Sequence, residues 1–204
     1  FKQKTAYEML RSLVGSEMCI RDRPGARVLD FGCGTGTLAF AAASLGLNVL
    51  AIDLMPRKLL ARCPGLEFRQ VDVMELDERN LFDLVINCST IEHVGLSGRY
   101  NAKDDPDGDL RAMAKLRRLM RPDGHMLLTL PIGQDAVIRP LHRVYGPARL
   151  PLLLAGYTCK EATFWRKPCG NVWSQCSEPE ALAERGSDHY YALGTLVLAG
   201  DRAA

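Results

Sequence analysis

Val28-Leu29-Asp30-Phe31-Gly32-Cys33-Gly34-Thr35-Gly36 decides the fold of this 204-residue chain. It is a short apolar run, an acid, and then glycine at every second position. An alanine-rich, helix-forming segment follows at once, Leu38 to Leu45. Strand, glycine turn, helix is how an α/β fold presents its backbone to a nucleotide-like ligand. A buried parallel strand reads as a continuous apolar run. Glycines reach backbone angles that a Cβ forbids and let a ligand approach the main chain. The helix start then offers N–H groups with no partner inside the helix. The spacing is acid-x-G-x-G-x-G. A dinucleotide fingerprint, G-x-G-x-x-G, needs its third glycine where this chain has Thr37.

Working outward, Ala26–Phe31 reads as the first strand and Thr37–Leu45 as a helix stopped by Gly46. Asn48–Ile52 is a second strand ending at Asp53, and Pro56 suits the first turn of a helix running to Arg62. Leu66–Val71, ending at Asp72, and Leu81–Asn87 are the third and fourth strands. A helix from Asp109 to Met120, a turn at Pro122-Asp123-Gly124 and a fifth strand, His125–Leu130, closed by Pro131, complete the pattern. Five apolar strands alternating with helical segments imply a doubly wound parallel sheet. Further on, Pro147–Ala155 reads as a short helix, with strands at Thr158–Arg166 and Tyr190–Leu198.

Three acids, Asp30, Asp53 and Asp72, fall at strand ends. Ligands of open α/β sheets bind outside the carboxyl ends of the strands. An acid about 20 residues past the glycines can accept hydrogen bonds from ribose hydroxyls. The competing role of a strand-end Asp is to cap a helix or form a turn.

The length suits one domain. A formal net charge of +2 gives no signal for nucleic acid or an anionic membrane. No run approaches the roughly 18 apolar residues of a membrane span. The seven cysteines are scattered, with no C-x-x-C and no zinc spacing, so no metal site is expected. They fit free thiols in a reducing cytoplasm. Nothing in the sequence indicates an oligomeric state.

The wording of the glycine segment resembles motif I of the class I S-adenosylmethionine (SAM) dependent methyltransferases. The resemblance implies an α/β, Rossmann-like doubly wound sheet of seven strands, mostly parallel with an antiparallel last strand. It implies SAM as cofactor, bound by Asp30, Gly32, Cys33, Gly34, Gly36, Asp53, Leu54, Asp72, Val73, Asn87 and Cys88. In that scheme Asp53 takes the ribose, Asp72-Val73 reads adenine, and Asp30 faces the methionine part.

Phe82-Asp83-Leu84-Val85-Ile86 with Ile91-Glu92-His93-Val94 resembles the F-D-x-V-x…E-H-V segment of many small-molecule methyltransferases. DNA amino-methylating enzymes carry [D/N/S]-P-P-[Y/F] where this chain has Asn87-Cys88-Ser89-Thr90. Cytosine-C5 enzymes need a nucleophilic cysteine near this sheet edge, and Pro168-Cys169 lies beyond the sixth strand. Glu92 and His93 are candidate acid/base groups. Their alternative role is to brace the loop.

The segments Ile91–Asp105, Gly108-Asp109-Leu110 and His142-Arg143-Val144-Tyr145-Gly146 resemble a poorly characterised methyltransferase-like family with IEHxGLGRYGD and HR-[VI]-YG segments. Arg99, Tyr100, His142, Arg143 and Tyr145 are substrate candidates at the expected ligand edge, with ordinary loop packing as the alternative. Arginine suits a carboxylate or phosphate. The expected partner is a small-molecule substrate. Two rivals stay open: a SAM-binding module without turnover, and a nicotinamide-dependent oxidoreductase.

Residues 1–22 resemble the translated read-through of a sequencing adapter. The alternative is an amphipathic helix with Tyr7, Leu10, Leu13 and Val14 on one face. The methyltransferase-like domain is expected over residues 23–204, with its native N-terminus missing.

Overall fold

The computed structural model describes residues 25–200 except 60–61, 78, 80, 99 and 101–102. The expectations for residues 1–22 and for Arg99 lie outside the described residues.

Among the described residues ten strands and four α-helices follow in chain order: β1 Arg27–Phe31, α1 Thr37–Ser44, β2 Asn48–Asp53, β3 Leu66–Gln70, β4 Phe82–Cys88, α2 Gly108–Leu119, β5 Met120–Ile132, β6 Ala136–Ile138, β7 His142–Val144, α3 Arg149–Leu153, β8 Tyr157–Cys169, β9 Val172–Cys176, α4 Glu178–Ala183 and β10 Ala192–Gly200. Eight strands form one sheet in the order β3-β2-β1-β4-β5-β10-β8-β9, and β6 and β7 form a separate hairpin. β1 to β5 pair in parallel, and β10 runs antiparallel to both β5 and β8. The last strand is thus antiparallel, as expected, and β9 adds an eighth strand at the edge.

Alternate residues of each central strand face opposite layers. Leu29, Val85, Met126 and Leu128 pack with Met113 and Leu116 of α2. Val28, Leu84, Ile86 and Leu127 pack with Leu38, Ala39 and Ala42 of α1. Both faces are covered, so these strands read as unbroken apolar runs rather than as alternation. In α2, Ala112, Met113, Leu116 and Leu119 make the buried stripe while Arg111, Arg117 and Arg118 face outward.

Three local expectations are corrected. Residues 56–59 are irregular where a helix was expected, so Pro56 opens no regular turn there. Pro122-Asp123-Gly124 does not separate α2 from β5 as a free turn. It lies within β5, where the pairing shifts from Phe82↔Met120 to Leu84↔His125 and the extra residues bulge out. Pro131 does not end the strand. Its carbonyl still accepts from Tyr145 N at 3.0 Å, and its neighbour Ile132 bridges to Tyr145. That pairing carries the β6–β7 hairpin to the carboxyl edge of the sheet. The hairpin's three-residue strands are too short to show a period.

The unpredicted α4 follows a readable signal. Ser177 accepts from Glu180 N, and the Glu180 carboxylate accepts from Ser177 N at 2.9 Å, a complete capping box. Ser177→Ala is expected to lower stability by about 1 kcal/mol. Urea denaturation measures it, and a loss near zero would mean that α4 is held by packing of Ala181 alone.

Candidate functional site

The candidate site lies across the carboxyl ends of β1, β2, β3 and β4. At β1, Asp30 is 3% exposed, and its Oδ2 has no hydrogen-bond partner among the described residues. Burial raises its pKa to about 7, opposed by the Ala39 amide and reinforced by the Asp53 carboxylate. The chain then turns through the glycines. Gly32 has φ +70°, and a Cβ there would meet the Thr90 side chain at 2.2–2.9 Å. Gly34 has φ +56° with nothing within 4 Å of where a Cβ would stand. The first glycine is therefore needed for contact with the β4 end, and the second leaves an open cradle. Gly36 is the N-cap of α1, left-handed at φ +78°. The Cys33 thiol is pushed up to about 12, first by burial and then by Asp30 and Asp53, which makes it a poor nucleophile at neutral pH.

At β2, both oxygens of Asp53 are engaged. Oδ2 accepts from Gly34 N at 3.1 Å and from Arg57 Nε at 2.9 Å, and Oδ1 accepts from Met55 N at 2.9 Å. The acid and the glycine turn are thus tied together directly. At β3, Asp72 caps the short 3-10 turn Val73–Glu75 by accepting from Met74 N at 2.9 Å. Leu54 and Met74, which follow the β2 acid and the β3 acid-valine pair, are large apolar side chains left 43% and 45% exposed.

At β4, Asn87 is fully buried, donating to Met113 Sδ at 3.7 Å, with Oδ1 unpartnered among the described residues. Cys88 accepts from Thr129 Oγ1 at 3.4 Å. Ser89 holds φ +53°, a conformation that costs energy for a residue with a Cβ. It swings the chain so that Thr90 Oγ1 reaches the Gly32 carbonyl at 3.3 Å.

Glu92 and His93 sit on a 3-10 turn, Ile91–His93, directly after this bend. Glu92 is 1% exposed, and its Oε1 lies 3.9 Å from His93 Nε2. His93 Nδ1 bonds to the Leu141 carbonyl, and the ring of Tyr100 lies against the imidazole with centroids 4.9 Å apart.

The other substrate candidates stand elsewhere than expected. Arg143 and Tyr145 are 2% and 0% exposed, not open at the ligand edge. Arg143 donates to the carbonyls of Val94, Asp105 and Pro106. Tyr145 donates to Asp109 Oδ2 at 3.0 Å. Burial, with the Asp109 and Glu92 carboxylates, holds the Tyr145 hydroxyl well above its ordinary pKa, so it is a donor at any working pH. His142 packs edge-on against Tyr191 and bonds to the Ser187 carbonyl at 3.2 Å. The structure therefore gathers Asp30, the glycines, Asp53 and the Cys88–Thr90 bend in one place. It puts Tyr100 beside His93, and it withdraws Arg143, Tyr145 and His142 into the packing behind.

Sequence reasoning missed Arg57, Ser89, Thr90 and Arg149, and the burial of Asp109. Arg57 stands four residues after Asp53, a spacing that pairs side chains only when the local backbone allows it. Thr90 and Ser89 carry no signal, because their roles come from the apposition of β1 and β4. Among the described residues no group of three or more His, Cys, Asp or Glu is placed to hold a metal, and no helix is long and apolar enough to cross a membrane.

Comparison with known proteins places this geometry. Residues 66–168 match the family described as "Caenorhabditis protein of unknown function, DUF268". Residues 8–61 match the ribosomal protein L11 methyltransferase (PrmA) family. The ubiquinone biosynthesis O-methyltransferase of Xanthomonas oryzae pv. oryzae (strain PXO99A) is 37% identical over 117 residues, covering 53% of this chain and 44% of that protein. Its counterpart in Xanthomonas campestris pv. campestris (strain B100) is 36% identical over 115 residues, covering 52% and 43%. The chain thus spans less than half the length of the curated relatives it matches. Among solved structures, the Burkholderia thailandensis 1,6-didemethyltoxoflavin-N1-methyltransferase superposes with a TM-score of 0.64 at 18% identity, covering 98% of this chain and 79% of that one. The N-methyltransferase NodS of Bradyrhizobium japonicum WM9, in complex with S-adenosylhomocysteine, gives 0.65 at 15%, covering 98% and 88%. With half its length matched by one family profile and its full sheet by these structures, the chain belongs to the DUF268 family and has the class I methyltransferase fold.

Proposed function

We propose that this protein is a SAM-dependent methyltransferase acting on a small-molecule hydroxyl or amine. The observation that carries the reading is the unpartnered Asp30 Oδ2, buried beside the open cradle at Gly34 and within the field of Asp53. A buried carboxyl without a partner is costly, and a ligand ammonium would relieve it. Asp53 would hold the ribose, Leu54 and Met74 would flank the adenine, and the Val73 N–H at the head of its turn would face a ring nitrogen. When bound, SAM supplies a methyl group already activated by its positive sulfur. The chain's own work is then to bind, orient and exclude water. The names of the relatives support an oxygen acceptor in one branch and a nitrogen acceptor in the other. The free thiols of Cys33, Cys63, Cys159, Cys169 and Cys176 suit action in a reducing cytoplasm.

A thermal-shift panel on the full chain tests this. SAM and S-adenosylhomocysteine at 100 times their Kd should add about 2.7 kcal/mol of stability. Stabilisation by NAD or NADP in their place overturns the reading. Turnover of labelled SAM with phenolic and amine substrate pools then separates enzyme from binding module.

The Asp30 carboxyl adds a pH signature. Its native pKa, about 7, lies above the unfolded value of about 3.9. The stability it contributes is therefore fully present below about pH 4 and is lost as pH rises through about 7. Asp30→Asn should remove that decline between about pH 4 and 7, measured by urea unfolding. Binding of S-adenosylhomocysteine slightly below neutral pH should release a proton, because its ammonium favours ionised Asp30. Calorimetry in buffers of different ionisation enthalpy reads this directly. Heats independent of buffer would mean that Asp30 does not meet the ammonium.

A further inference from the structure

One short stretch, Leu141 to Tyr145, holds the Glu92–His93 turn at three points. The Leu141 carbonyl bonds His93 Nδ1 at 2.5 Å. Arg143 donates to the Val94 carbonyl, at the end of the turn. The Tyr145 hydroxyl also lies 3.4 Å from the Ile91 carbonyl, at its start, a weaker second acceptor for the one proton it gives to Asp109. Arg143 and Tyr145 are two residues apart on extended chain and so share a face.

The holders are themselves held. Tyr145 and Arg149 both donate to Asp109, which is fully buried at the N-terminus of α2. Arg143 Nε lies 3.7 Å from the same carboxylate. Its remaining bonds, to the Asp105 and Pro106 carbonyls at 3.2 and 3.3 Å, fix the loop that leads into α2. A guanidinium, a phenol and a carboxylate this deeply buried stay put only when their partners are in place. This constellation is therefore a rigid frame for the turn.

The frame has a chemical consequence at His93. A carbonyl oxygen can only accept, so the Leu141 bond requires the proton on Nδ1. Nε2 is then the nitrogen with the lone pair. It lies 3.9 Å from Glu92 Oε1, so an imidazolium formed there has a counter-ion at hand. The Tyr100 ring, tilted 56°, packs against the imidazole.

We propose that Leu141, Arg143 and Tyr145 form a positioning strand that locks His93 in the Nδ1-protonated tautomer and presents Nε2 as the proton acceptor of the site. The role in turnover rests on the methyl-transfer reading. There, His93 takes on Nε2 the proton that the acceptor sheds as its lone pair bonds the methyl carbon and the carbon–sulfur electron pair stays on sulfur. Water then removes the proton. Arg143 and Tyr145 are positioning residues, since they act only through the turn.

Long-range 15N–1H NMR of the full chain, well above neutral pH, reads the tautomer of each of its four histidines without any turnover. His93→Gln identifies the signal. The expected wild-type pattern is Nδ1–H. Tyr145→Phe and Arg143→Gln should give a mixture of tautomers at His93, and Arg143→Lys, which keeps a donor near the Val94 carbonyl, should restore the single Nδ1–H form. An Nε2–H pattern in the wild type overturns the proposal. So does a single Nδ1–H form that survives in both Tyr145→Phe and Arg143→Gln. Titration of the same samples with S-adenosylhomocysteine separates the two readings. Binding together with an Nε2–H His93 removes this inference alone, whereas absence of binding removes the proton-transfer role together with the methyl-transfer reading.

Discussion

Asp53→Ala is expected to weaken S-adenosylhomocysteine binding by about a hundredfold, about 3 kcal/mol, in a chain that still folds. The carboxylate sits at the end of β2, 8% exposed, where two ribose hydroxyls would each make a charge-assisted bond. Three donors use it in the structure: Gly34 N, Met55 N and Arg57 Nε. Oδ2 with two donors is saturated, whereas Oδ1 has room for one more. A diol needs two places, so Arg57 must yield one. Arg57 is 32% exposed and can be hydrated when it leaves. The sign for Arg57→Gln is therefore opposite to that for Asp53→Ala. Removing the competing cation should tighten binding several-fold and abolish any gain in wild-type affinity with added salt. Isothermal titration of both variants checks this. Unchanged affinity in Asp53→Ala would remove the ribose assignment, and weaker binding in Arg57→Gln would make Arg57 part of the ligand site.

Asp109→Ala is expected to destabilise the fold by about 3–5 kcal/mol, the largest loss for a single side chain outside the apolar core. Asp109 is fully buried and accepts from Arg149 Nε at 2.9 Å, Arg149 Nη2 at 2.5 Å and Tyr145 Oη at 3.0 Å. It is also the counter-ion nearest to Arg143, which is 2% exposed. Deleting the carboxylate leaves a buried guanidinium with carbonyl partners only. The pair itself need not stabilise the protein; the cost comes from leaving one charge behind. Arg149→Ala should cost clearly less, because Arg149 is 23% exposed and its removal leaves Asp109 with Tyr145 and Arg143. Asp109 bonding also raises the Arg149 pKa, so this guanidinium stays charged throughout the working range. Urea unfolding measures both variants, and hydrogen exchange should show protection lost first in the 91–98 turn. A loss below about 1 kcal/mol for Asp109→Ala would mean that water reaches Arg143 and the cluster is not sealed.

The same cluster explains why the substrate-side expectations shifted. An arginine followed two residues later by a tyrosine, in a segment without strong apolar pattern, reads as a loop ready for an anionic ligand. Arg143 and Tyr145 instead lie on one face of extended chain turned toward the N-terminus of α2. Their partners, Val94, Asp105, Pro106 and Asp109, stand 34 to 49 residues earlier. No local rule reports a bond over that separation. The acid of Gly108-Asp109-Leu110 was visible, and its place in the first turn of α2 agrees with a helix dipole argument. Its burial was not visible, because burial depends on which strand arrives above it.

Much of the candidate site was legible for the opposite reason. The glycine turn, Asp30, Asp53 and Asp72 are set by local constraints: where a strand must end, where a Cβ cannot stand, which residues cap a turn. Asp72 shows the limit of that reading. It does cap the 3-10 turn, through Met74 N, so its structural role is present alongside any ligand role.

By itself the sequence determined the doubly wound sheet and the edge at which the candidate site lies. Continuous apolar runs are buried here between two helical layers, and glycine at positions 32, 34 and 36 permits the positive φ angles of the turn at that edge. Only the tertiary structure decided that Thr90 would stand where a Cβ of Gly32 would be, that Arg57 would share the Asp53 carboxylate, and that Tyr145 and Arg143 would frame the His93 turn rather than meet a substrate. Each is a contact between segments far apart in the chain or a side-chain choice among competing partners. Such contacts are fixed by strand order and packing once the sheet has formed, and no periodicity along the chain encodes them.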